Sequence, residues 1–305
     1  MIKNALNCSS DFLGSGQRNC VIESLGDMLG FALLSVGNNT KWNNNSPLSR
    51  VSYLDLLKGL KAFPYLTRYE FTENTPDNEI NTSSAGVIRP IRQGKPLYQF
   101  VYTKGTCTYK SIYNKIGLQW QVALIFETGV LLTETVDGNV RGFNASPLNV
   151  ETYRFQSGTD LERSIVNIQL LYPDELNKSS VFYTWEALGF DLREINGVVD
   201  VNIEAVGSPG GSNEIEVKVT TSCNGSDVVL GLDDENIWSI SSGQTVTSVS
   251  YDANTKTYTL TLSGNLPTSG TAILKLSESG FDVVEDAAGE LLKGKTTINL
   301  SAPSA

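Results

Sequence analysis

The sequence contains no histidine. Its absence removes Ser-His-Asp and Cys-His nucleophile systems, and with them the zinc sites that rely on imidazole. Phosphate cradles are missing as well. "GSGQRN" at 14–19 and "GSPGGS" at 207–212 lack the strand–glycine–helix context and the Lys-Ser/Thr ending, and read as loops or turns. No apolar run approaches the ~20 residues of a membrane span. The longest near the N-terminus is "MLGFALLSVG" (28–37). "MIKNALNCSSDFLGSGQ" turns polar too early for a secretory signal, which predicts synthesis in a cytoplasm without export. Basic residues are scarce, 23 Lys+Arg against 33 Asp+Glu, for a net charge of −10. That balance argues against nucleic acid as a ligand, although an acidic wall lets DNA pass without sticking. Cysteines number four: Cys8, Cys20, Cys107 and Cys223. Their spacings match neither a zinc knuckle nor a redox pair, so they are expected as buried or idle thiols in a reducing compartment. Loop length alone would allow a Cys8–Cys20 bridge.

What is present describes a globular, mainly β protein. At 305 residues, 40% apolar and 18% charged, the chain has material for two domains. Its character changes near Asn196-Gly197: aromatics are dense before that point, and short Val/Ile/Thr strands between turn residues follow it. The division is therefore set at 1–196 and 197–305. In the second part "VVDVNIEAV", "NEIEVKVTT", "QTVTSVSY", "KTYTLTLS" and "GTAILKLS" alternate with period two, "DANT" and "GNLPTSG" turn between them, and "GKTTINLSA" closes. About seven such strands predict an Ig-like β-sandwich.

The first part reads as a β-sandwich or barrel-like domain with two or three helices. Ser46-Pro47 as cap and first turn, followed by Val51, Leu54, Leu57 and Leu60, predicts a helix over 47–61. Tyr109, Ile112, Tyr113 and Ile116 predict a second over 106–116, and Val21, Leu25, Met28 and Leu29 a third over 20–30. Extended segments are expected at 87–92, 97–103, 119–126, 130–135, 150–156, 163–171 and 181–187. The stretch "QWQVALIFETGVLLTETVDGNVRGF" (119–143) is a β-meander, broken at Thr128-Gly129 and turned at Asp137-Gly138-Asn139. "NNTKWNNNS" and "TENTPDNEINTSSAG" read as polar loops, the second long enough for an arm or an assembly loop.

Candidate chemistry is sparse. Asp233, Asp234 and Glu235 in "DDEN", and Asp160 and Glu162 in "GTDLER", could supply a glycosidase pair, and Asp233, Asp234 and Glu235 could also hold calcium. The bland alternative, solvated surface charge, is favoured, because no EF-hand spacing is present and acidic proteins carry such clusters routinely. Tyr98, Phe100 and Tyr102 share one strand face. A core face packed against Tyr109 and Tyr113 is favoured over a sugar-stacking platform. No catalytic, cofactor-binding or metal-ligating residue is assigned.

The order "KGTCTYKSIYNKIG", "QWQVALIFETGVLL", "DGNVRGFNASPLNVETYRF", "LERSIVNIQLLYPDEL" and then a sandwich resembles tailed-bacteriophage virion proteins. The closer resemblance is to major tail (tail tube) proteins, some of which carry C-terminal bacterial Ig-like domains. It covers about residues 87–300, is architectural, and leaves 1–86 outside. The resemblance implies a ring-forming, commonly hexameric homo-oligomer in the phage tail of the virion. Its partners would be copies of itself, other phage virion proteins and DNA passing without specific binding. The sandwich would face outward and touch host glycans weakly. It implies no cofactor, no membrane and no enzymatic activity. Other readings are a capsid decoration or head-fibre protein, a carbohydrate-binding surface adhesion protein, and a histidine-free glycoside hydrolase.

Overall fold

The structure, a computed structural model, describes residues 25–37, 41–43, 46–66, 68–84, 86, 88–223 and 227–301. These fall into two compact units, one from 1–56 with 61–195 and the other from 57–60 with 196–305. The fold is mainly β.

The first unit runs β1 (Met28–Ser35), α1 (Arg50–Lys58), β2 (Ala62–Tyr65), β3 (Glu70–Glu73), β4 (Glu79–Thr82), β5 (Ile88–Arg92), β6 (Leu97–Tyr102) and α2 (Gly105–Tyr113). It continues with β7 (Trp120–Phe126), β8 (Gly129–Glu134), β9 (Val140–Arg141), β10 (Phe143–Asn144), β11 (Asn149–Val150), β12 (Ser164–Gln169), α3 (Pro173–Ser179), β13 (Ser180–Thr184) and α4 (Trp185–Leu188). One sheet has the order β13-β8-β7-β1-β2, with β9 and β10 appended; a second is β11-β12-β6-β3. Their facing side chains form one core, with Phe31, Leu33, Val122 and Leu124 from the first sheet and Phe100, Tyr102, Val166 and Ile168 from the second. Alternation in β6 and β12 puts every second residue into that core, as the pleat requires.

The meander forms as its sequence suggests: β7 pairs antiparallel with β8 through Leu124↔Leu131 and Ile125↔Val130, and β8 with β9 through Thr133↔Arg141. The Asp137-Gly138 turn closes with the Thr135 N–H donating to the Asn139 carbonyl at 2.7 Å. β7 is buried at all seven positions, which suits its continuous apolar run.

Four expectations need correction. The helix over 20–30 is not found: residues 25–27 are irregular and Met28–Ser35 is a strand, while 20–24 lie outside the described residues. A helical stripe can be drawn through any dense apolar run, and this one is flanked by β2 and β7 on its two edges. The helix expected over 47–61 begins only at Arg50. Its cap is Ser49, not Ser46: Ser49 Oγ accepts from the Ser52 N–H at 3.2 Å, and Ser52 Oγ accepts from the Ser49 N–H at 2.9 Å. This is a reciprocal capping box. The helix ends where Leu60 turns left-handed (φ 54°), its N–H donating to the Leu57 carbonyl and that of Lys61 to the Leu56 carbonyl, a Schellman closure. The long polar segment 72–86 contains strands β3 (in part) and β4 where a loop is expected. Of the extended segments, 150–156 keeps only β11's end and an isolated Arg154↔Arg163 bridge, and 185–187 are helical.

The second unit is a β-sandwich: β14 (Val199–Val206), β15 (Glu214–Thr221), β16 (Trp238–Ile240), β17 (Val246–Asp252), β18 (Thr257–Leu262), β19 (Thr271–Leu276), β20 (Val284–Glu285) and β21 (Leu291–Asn299). Their order is β16-β19-β21-β14-β15-β18-β17, with β20 beside β21. Its core gathers the inward rows Val201/Ile203, Ile215/Val217/Val219, Tyr258/Leu260/Leu262 and Ala272/Leu274/Leu276. Two buried aromatics have their polar tips satisfied in one irregular stretch: Tyr258 Oη donates to the Val229 carbonyl (2.9 Å) and Trp238 Nε1 to that of Leu232 (3.0 Å). They pin a segment that has no strand ladder of its own.

Candidate functional site

The most conspicuous surface feature of the first unit is an arm. Among the described residues β4 and β5 pair only with each other, and every residue of β4 is exposed. Ile80, Ile88 and Ile91 face solvent at 57%, 62% and 66% exposure. The root is tied down: Asn74 N–H donates to the Leu97 carbonyl (2.8 Å), Gly94 N–H to Asn78 Oδ1 (2.8 Å), and Leu97 N–H to Thr75 Oγ1 (3.2 Å). A two-stranded ribbon is marginal alone in water. It presents unpaired backbone edges that solitary proteins normally blunt. Burying one isoleucine is worth about 1.5–3 kcal/mol, so three on one arm favour a covering surface.

A second feature is a ladder of four rings. Tyr113 packs on Tyr109 (5.5 Å between centroids), Tyr109 on Tyr153 (5.4 Å) and Tyr153 on Phe155 (5.2 Å). Both end rings are open to solvent, Tyr113 at 52% and Phe155 at 75%. Tyr153 Oη donates to Glu162 Oε2 at 2.6 Å. Desolvation, then that hydrogen bond and the carboxylate's charge, push the phenol up to about 12, so it remains a donor. Tyr98, Phe100 and Tyr102 are buried as expected of a core face. Tyr109 and Tyr113 do not cover them; of the α2 face only Ile112 is buried. The sequence reading missed Tyr153 and Phe155. The signal was their i, i+2 spacing in "ETYRF", which puts both rings on one side of an extended segment.

The candidate acids do not converge. Asp234 Oδ1 accepts from the Asn236 N–H at 2.9 Å and caps the short 3-10 turn Glu235–Ile237. Asp160 closes a tight turn with Ser157, and Glu162 belongs to the ring ladder. Among the described residues no group of three His, Cys, Asp or Glu side chains is placed to hold a metal ion. No described helix is long and apolar enough to cross a membrane. The cysteine expectation is overturned at two positions: Cys107, on α2, and Cys223, just past β15, are disulfide-bonded. Bridging depends on approach in space, which spacing along the chain does not report. Cys8 and Cys20 lie outside the described residues.

Comparison with known protein families, curated proteins and solved structures finds no match to this chain.

Proposed function

We propose that this chain is a structural subunit that works by associating with copies of itself. We place it in a tailed-bacteriophage virion, with the tail tube, stacked rings around the DNA conduit, as the best reading. The observation that carries self-association is the arm: β4 and β5 with open edges and three exposed isoleucines. The virion assignment rests on the resemblance in the sequence and on a net charge of −10, which suits a passage that DNA traverses without binding. Disulfides at Cys107 and Cys223 suit a particle that outlives the reducing cytoplasm. In this reading the role is architectural, without catalysis, and the Ig-like sandwich faces outward. Light scattering after size exclusion, with negative-stain imaging of the full chain, tests it. Rings or tubes are expected; a monomer at high concentration with no rings overturns the proposal.

The ring ladder favours a second reading, a carbohydrate-binding protein, because Tyr113 and Phe155 offer solvent-facing π surfaces beside Glu162. A glycan array probed with the full chain decides it: specific binding lost in Phe155→Ala supports this alternative, and no binding removes it.

A further inference from the structure

Asn196-Gly197, where the composition of the chain changes, opens the second unit. The short 3-10 turn Leu192–Glu194 ends before it and β14 begins at Val199, so both residues lie in irregular backbone. Asn196 is exposed and Gly197 partly buried. Among the described residues neither of them has a hydrogen-bond partner.

An asparagine followed by glycine faces the least hindered backbone nitrogen a side chain can meet, because glycine carries no Cβ. A five-membered ring closes when that nitrogen reaches the side-chain carbonyl carbon, and reaching it requires a main chain free to turn. Two comparable pairs are denied that freedom. In Asp137-Gly138 the Gly138 N–H donates to the Thr135 carbonyl at 2.8 Å inside a closed turn. In Asn144-Ala145 the Ala145 N–H donates to the Trp120 carbonyl at 3.2 Å, and Asn144 Nδ2 donates to Glu175 Oε1. A nitrogen held in a turn or ladder cannot swing onto the neighbouring side chain. Asn224-Gly225 lies outside the described residues.

We propose that Asn196 is a site of self-modification, converting to isoaspartate and aspartate with water as the co-reactant. The Gly197 nitrogen attacks Asn196 Cγ. The N–Cγ bond forms, the Cγ–Nδ2 bond breaks, and the amide group leaves as ammonia with the proton that the Gly197 nitrogen gives up. Water then opens the resulting succinimide. Attack at Cγ restores the ordinary peptide link and leaves an aspartate. Attack at the main-chain carbonyl carbon leaves the chain running through Cγ, an isoaspartyl link one carbon longer. Either product carries one more negative charge than the asparagine did.

The test uses the full chain, stored in warm neutral buffer made with heavy-oxygen water and then digested with trypsin. The peptide from Glu194 to Lys218 is followed by mass spectrometry with fragmentation. A gain of about 3 Da at position 196 is expected, from loss of an NH2 group and gain of a heavy-oxygen hydroxyl, in two products that elute separately. The rate should exceed that at any other described asparagine by about ten-fold or more. Gly197→Ala is expected to slow the conversion about ten-fold. Asn196→Gln, an exposed change that leaves only a six-membered ring to close, is expected to stay unlabelled at 196. No label at 196, or equal labelling at Asn144, overturns the inference. A single aspartate product formed at an unchanged rate in Gly197→Ala also overturns it, since direct hydrolysis needs no ring.

Discussion

Glu175 shows how much a single carboxylate can hold. It accepts from Arg141 Nη2 (2.8 Å), from the Asn144 N–H (2.9 Å) and from Asn144 Nδ2, with both charged side chains largely buried. Strands β9 and β10, only two residues each, are thereby fixed to α3. Glu175→Gln keeps the shape and removes the charge; a loss of about 3 kcal/mol in urea unfolding is expected. Tyr53 is the opposite case, since its buried hydroxyl has no hydrogen-bond partner among the described residues and burial pushes its pKa well up. Tyr53→Phe should be neutral or stabilising by about 1 kcal/mol, read in the same assay. Asp252 governs acid behaviour at the β17–β18 turn. The Asn254 N–H, then the Thr255 hydroxyl, hold its carboxyl below the usual range. A depressed pKa contributes stability that is complete above the unfolded value of about 3.9 and is lost as pH falls through the folded one. Asp252→Asn should therefore lower stability at neutral pH and flatten the stability profile below about pH 4, read by urea unfolding across pH. Such roles were not legible in the sequence, because they depend on which distant groups a side chain meets.

Elements were legible where burial writes a period into the chain. Five segments of the sandwich show alternation, since each has one face turned to the core and one to water, and each contains a strand. The meander was legible from its turns instead, Thr128-Gly129 and Asp137-Gly138-Asn139, which cut an otherwise continuous apolar run into strand lengths. β4 was not: with all four residues exposed, nothing imposes alternation, and a polar strand reads as a loop. Burial on both faces hid β1 differently, by giving an apolar run from which helix and strand cannot be told apart. Of the candidate site, then, the arm's position was readable as a long polar insertion and β5 as the extended segment 87–92, but not β4 or the exposure of the isoleucines. Replacing Ile80, Ile88 and Ile91 by serine should abolish ring formation while shifting Tm by no more than about 2 °C, because none of the three supports a core. Gly294→Ala should instead lower stability by about 2 kcal/mol through overpacking, because its Cβ would come within 2.7 Å of Val201 Cγ2, measured by thermal unfolding.

At the scale of the whole molecule, the two disulfide-bonded cysteines tie covalent chemistry to stability. Reduction is expected to lower Tm by roughly 5 °C or more, as removal of a cross-link typically does, and differential scanning calorimetry with and without reductant reads it directly. The second unit carries one further consequence of its topology. Its first and last strands lie side by side and run the same way, β14 against β21. Tension applied between the start of β14 and the end of β21 would load all the hydrogen bonds of that ladder at once, in shear, where a hairpin would unzip them one after another. A sandwich held between two anchored neighbours would behave as a mechanical clasp, stiff along its axis until the whole ladder gives way together.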